Sequence, residues 1–129
     1  MIGEKVLHFQ GKGTDLAQLQ QKIGSYLESD GFSVQSSTPS THGTLLQAKK
    51  GGFLRGIVDA DRALSILVSG GPDDFTVRIG IGKWVEHLAV AAVETLLISE
   101  LFLLVDVAET AWNFEIEDKL VKHVESLVG

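Results

Sequence analysis

Apolar residues recur along this chain with two periods, and the change from one to the other divides it. Across 15–29, Leu16, Leu19, Ile23 and Leu27 follow one another at three- and four-residue spacing with Tyr26 alongside, which predicts a helix with one apolar stripe. Thr14 stands where an N-cap is needed, and Gly31 followed by Phe32 reads as a left-handed C-cap with its hydrophobic contact. Elsewhere in the first half the period is two. Phe75, Val77, Ile79 and Ile81 alternate with Thr76, Arg78, Gly80 and Gly82, which predicts a half-buried strand over 75–83. Leu64, Ile66 and Val68 alternate likewise over 63–69, and Gly70-Gly71-Pro72-Asp73-Asp74 joins the two as a hairpin loop. Further strands are predicted over 4–10, 32–37 and 44–50. The stretch 51–61 reads as either a short helical turn or an edge excursion.

The second half behaves differently, because every proline, and every glycine except Gly129, lies at or before Gly82. A single helix over 83–128 would run about 65–70 Å at 1.5 Å per residue. A chain of this size folds to a radius of gyration of about 14 Å, so the segment must bend, break or leave the domain. A break is expected near Trp112-Asn113: Asn113 suits an N-cap, and Glu115, Glu117 and Asp118 would fill a first turn where carboxylates favour the helix dipole. Beyond it Ile116, Leu120, Val124 and Leu127 form a stripe that should lie on a core. The expected fold class is α+β: an antiparallel sheet of about five strands, one N-terminal helix and a long or broken C-terminal helical segment, in the order β-α-β-β-β-β-α. One domain is expected over 1–129, with a sheet-plus-helix part over 1–83 and a helical part over 84–129.

That order, with the runs Leu46-Gln47-Ala48-Lys49-Lys50-Gly51-Gly52-Phe53-Leu54-Arg55, Ala63-Leu64-Ser65-Ile66 and Ile79-Gly80-Ile81-Gly82-Lys83-Trp84, resembles a family of small uncharacterised prokaryotic domains. In that family a sheet module precedes a hydrophobic C-terminal segment that is rich in small residues and poor in charge. Here Glu94, Glu100 and Asp106 interrupt the segment. The element order also resembles one repeat of a TATA-binding-protein-like fold. The resemblance implies a fold and no known activity.

Composition narrows the chemistry. The 129 residues contain no cysteine, which removes disulfides, thiolate nucleophiles and cysteine-based metal sites and fits a reducing compartment. The N-terminus lacks a basic region followed by an apolar run, so no secretory signal is read and a cytoplasmic protein is expected. The net charge of −6 is unevenly placed: 9 basic residues stand against 8 acidic ones through Lys83, and Lys119 and Lys122 against 9 carboxylates after it. Sequence-independent nucleic-acid binding needs clustered Lys and Arg, so nucleic acid is not an expected partner.

The stretch 88–107 has the length of a bilayer span. Its twelve Leu, Ile, Phe and Val residues contribute about −5 kcal/mol on the insertion scale, and Glu94 with Glu100 cost about +5 to +7 kcal/mol together. Insertion as a lone helix is therefore near neutral or unfavourable. At 100° per residue, Glu94, Glu100 and Asp106 point about 120° apart, so no face of a straight helix escapes charge. The favoured expectation is a homodimer or higher oligomer built by the helical half, with Leu97, Leu101, Phe102 and Leu104 at the interface. A membrane-associated protein using 88–107 is the alternative.

Catalytic signals are sparse. Gly11-Lys12-Gly13-Thr14 lies between a strand and a helix start, where backbone N–H groups can hold an anion, but it lacks the P-loop spacing and reads as a turn with a cap. Asp59 and Asp61 with Asp73 or Asp74 are read as solvated turn carboxylates rather than a cation site. His8, His42, His87 and His123 are scattered without metal-ligand spacing, and no nucleophile elbow surrounds the serines. No catalytic residue, cofactor or metal is expected. Gln35, Gln47, Lys49, Ser65, Thr76 and Arg78 occupy the polar strand positions, and Gln47, Lys49 and Arg78 make a candidate binding face for a peptide or protein ligand.

Overall fold

Seven elements follow in the order that the two periods predict: β1 (Lys5–Gln10), α1 (Leu16–Ser29), β2 (Ser33–Ser36), β3 (Thr44–Lys49), β4 (Arg62–Gly71), β5 (Asp74–Lys83) and α2 (Phe114–Val128). The computed structural model describes residues 5–37, 43–49, 62–84, 88 and 114–128. The strands form one antiparallel sheet in the order β1-β5-β4-β3-β2, so the first two strands in sequence are its two edges and α1 carries the chain from one edge to the other.

Opposed residues of an antiparallel pair share a face. The register sets Leu46 against Ile66 and Ile66 against Ile79, and Val68 against Val77 and Val77 against Leu7. These rows make one apolar layer. Leu19, Ile23 and Leu27 of α1 and Leu120 and Val124 of α2 pack on it, each no more than 2% exposed. The stripe expected of the last helix therefore lies on the core. That helix is 15 residues and starts directly after Asn113. Of the long or broken helical segment expected over 84–129, the described residues hold this short helix over the final part, beginning where the break near Trp112-Asn113 is expected; at 1.5 Å per residue it spans about 22 Å, a length that fits the sheet beneath it.

Helix α1 begins one residue later than expected. Asp15, not Thr14, is the N-cap: its Oδ1 accepts the N–H groups of Ala17 at 3.1 Å and Gln18 at 3.3 Å. The C-terminus follows the sequence reading. Gly31 has φ +94°, its N–H donates to Glu28 O at 3.0 Å, and Phe32 N–H donates to Leu27 O at 3.0 Å. This paired arrangement satisfies the last carbonyls while Phe32 joins Leu27 in the core.

The β4–β5 hairpin is tighter than its five-residue turn sequence suggests. Gly70, Gly71 and Asp74 all enter the ladder, leaving Pro72-Asp73 as the connection. Gly70 has φ +114°, and a Cβ there would lie 2.5 Å from Asp74 O, so the turn admits only glycine. Its tip docks on the β1–α1 loop: Gly11 N–H donates to Asp73 O at 2.7 Å, and Thr14 N–H to Pro72 O at 3.0 Å.

Candidate functional site

The sheet face opposite the helices carries the candidate binding residues, and it differs from the expected water-facing platform. Gln47 and Ser65 are fully buried, beside Leu45, Ala63 and Leu67 on the same face. The two polar side chains belong to a line across three strands. Gln35 Nε2 donates to Gln47 Oε1 at 3.3 Å, Gln47 Nε2 donates to Ser65 Oγ at 3.1 Å, and the Ser65 hydroxyl donates to Ala63 O at 3.3 Å. A buried amide costs little when its donors and acceptor are used, and the line uses them laterally within the sheet. Gln47, expected on a water-facing surface, is instead buried and braces β2, β3 and β4.

The other two members of that candidate face lie at its margins. Lys49 is half-buried with its Nζ 4.5 Å from the centroid of the Trp84 ring, a cation–π distance. Arg78 is half-buried between Leu67 and Val6 in the register. The signal for a buried second face was present in the sequence, because Leu45 and Leu67 share the parity of Gln47 and Ser65. Alternation in β5 alone, where Thr76, Gly80 and Gly82 mark the same face, concealed it.

The sites with chemical promise are occupied by local structure. Gly13 N–H, a candidate anion donor, donates to Asp73 Oδ1 at 2.9 Å, and the neighbouring Gly11 and Thr14 N–H groups go to the hairpin tip. Asp74 Oδ1 meets His8 Nε2 at 2.5 Å in an exposed pair, so Asp73 and Asp74 turn to different partners. Among the described residues no group of three His, Asp or Glu side chains is placed to hold a metal ion. Asp59, Asp61, His42 and His87 lie outside the described residues, as do the expected interface residues Leu97, Leu101, Phe102 and Leu104. No helix among the described residues is long and apolar enough to cross a membrane, and of 88–107 only Leu88, which is fully buried, is described.

Among the described residues neither edge strand has a second strand partner. Strand β2 has four residues, with Ser33 and Ser36 exposed, beside a groove of about 550 Å³ that it shares with Gln20, Gln21 and Gly24 of α1. Strand β1 is longer and less polar. All six of its residues pair with β5 on one side, and among the described residues no strand pairs on the other. Val6 is 60% exposed, His8 and Gln10 are exposed, and Leu7 and Phe9 are half-buried at the border of the core. The sequence gives β1 as a strand, but its place at the edge follows from the α1 crossover, which no residue pattern encodes.

The molecule is thus an α+β protein with a five-stranded antiparallel sheet whose β1 edge is bare among the described residues. No family model, curated protein or solved structure matches the chain.

Proposed function

We propose that this chain is a non-catalytic interaction module that self-associates. The observation that carries this reading is the contrast between the sheet's faces and its β1 edge. Helices α1 and α2 close one face, the central positions of the other are buried, and the outward main-chain groups of β1, those not turned to β5, have no strand partner among the described residues and lie beside an exposed valine. An exposed, regular edge strand is a template for another chain. The partner in this reading is a second copy, with Leu97, Leu101, Phe102 and Leu104 of the helical half supplying further apolar area. Light scattering after size exclusion at micromolar concentration tests it: a mass of two chains or more is expected, and a single-chain mass overturns the reading. Recovery from cells only by detergent extraction of membranes also overturns it, in favour of a bilayer role for 88–107.

A further inference from the structure

Strand β1 reads Lys5-Val6-Leu7-His8-Phe9-Gln10. Val6, His8 and Gln10 lie on the face of Leu67 and Arg78, while Leu7 and Phe9 lie on the helix-covered face with Val77 and Phe75. When two copies extend one sheet about a two-fold axis normal to it, opposed residues must come from the same face. Only registers centred on a residue qualify, and those centred on Leu7 and on His8 keep the most pairs. The register about Leu7 sets the Lys5 position against the partner's Phe9, so no apolar residue stands opposite Phe9.

The register about His8 is self-complementary on both faces. Leu7 meets the partner's Phe9, so two half-buried apolar side chains cover each other. Phe9 already stacks on Phe75 with centroids 5.2 Å apart, and the row becomes Val77, Leu7, the partner's Phe9 and the partner's Phe75. On the opposite face Val6 meets the partner's Gln10, and Arg78 and the partner's Asp74 flank that pair with opposite charges. Lys5 falls beyond the paired residues. The other edge lacks these properties, being four residues long with an exposed serine at each end.

We infer that β1 is the docking site for a second copy of this chain, which pairs antiparallel with its counterpart about His8 and joins the two sheets into one. This rests on the self-association reading and specifies where that contact lies. Main-chain hydrogen bonds along β1 give the affinity, and the Leu7–Phe9 contacts made twice by symmetry set the register.

The absence of cysteine makes the test direct. Opposed Cα atoms in an antiparallel pair lie about 4.5–5.5 Å apart, within the reach of a disulfide. His8→Cys, at an exposed position, is oxidised with glutathione disulfide at a concentration where the unaltered chain is dimeric. Lys22→Cys on the exposed side of α1 is the control, and Leu7→Cys reports the competing register. Expected is a disulfide-linked dimer of H8C forming about a hundredfold faster than that of K22C, as held pairs do against freely colliding ones. A dimeric protein in which H8C links no faster than K22C overturns this inference and leaves self-association standing. Faster linking of L7C than of H8C overturns the register. A monomer at all accessible concentrations overturns both readings.

Discussion

The ring of Tyr26 lies over that of His123, with centroids 4.1 Å apart and planes 17° from parallel. This contact ties α1 to α2 at the border of a shallow groove that Leu127 also lines. Both rings are half-buried, so the pair contributes through stacking geometry as well as through area. In a double-mutant cycle with Tyr26→Leu and His123→Leu, urea denaturation should give a coupling of about 0.5–1.5 kcal/mol. Additive single effects would mean that the ring stacking adds nothing to the apolar packing of α2 on the core.

Asp73 holds the hairpin tip to the loop that begins α1. Asp73→Ala leaves Gly13 N–H without its 2.9 Å acceptor, though water reaches this exposed site. The cost should therefore fall at the low end for a hydrogen bond, about 0.5–1 kcal/mol. Asp73→Asn keeps a side-chain oxygen and should recover most of it. Amide exchange at Gly13 is the sharper reading, because it should quicken in the alanine variant and stay slow in the asparagine one.

How far the fold could be read in advance depended on whether local residues determined the feature. The stripe of Leu19, Ile23 and Leu27, the Gly31-Phe32 cap and the alternation of Phe75, Val77 and Ile79 each fix a local geometry, and each stands where its pattern places it. The errors arose where a distant partner decides. Thr14 loses the cap to Asp15 while its own N–H goes to Pro72 O, a bond that no window around Thr14 contains. Gln47 looks like a surface residue until the register sets it between Gln35 and Ser65. For the site the difference is greater still, since the openness of β1 is a property of strand order.

Gly24 offers a test of packing in α1. It is buried in the helix interior, where glycine costs about 1 kcal/mol relative to alanine. A Cβ at this position would meet Val34 Cγ1 at 3.8 Å, an ordinary contact. Gly24→Ala should therefore stabilise the protein, by up to about 1 kcal/mol, and raise Tm in a thermal melt. A lower Tm would mean that α1 approaches β2 more closely than this contact allows.

The buried line of Gln35, Gln47 and Ser65 carries the strongest prediction about the second face. Gln47→Ala removes the acceptor of Gln35 and the donor to Ser65, and opens a void among Leu45, Ala63 and Leu67. The expected loss is about 2–4 kcal/mol, combining cavity and unpaired polar groups. Ser65→Ala should cost less, about 1–2 kcal/mol, because a hydroxyl leaves little space behind it. The Q47A/S65A double variant should fall short of the sum, since their shared hydrogen bond is lost only once. If Gln47 instead faced water, its truncation would change stability by less than about 0.5 kcal/mol. That result would return the face to solvent and, with it, restore Gln47, Lys49 and Arg78 as a surface on which a ligand could rest.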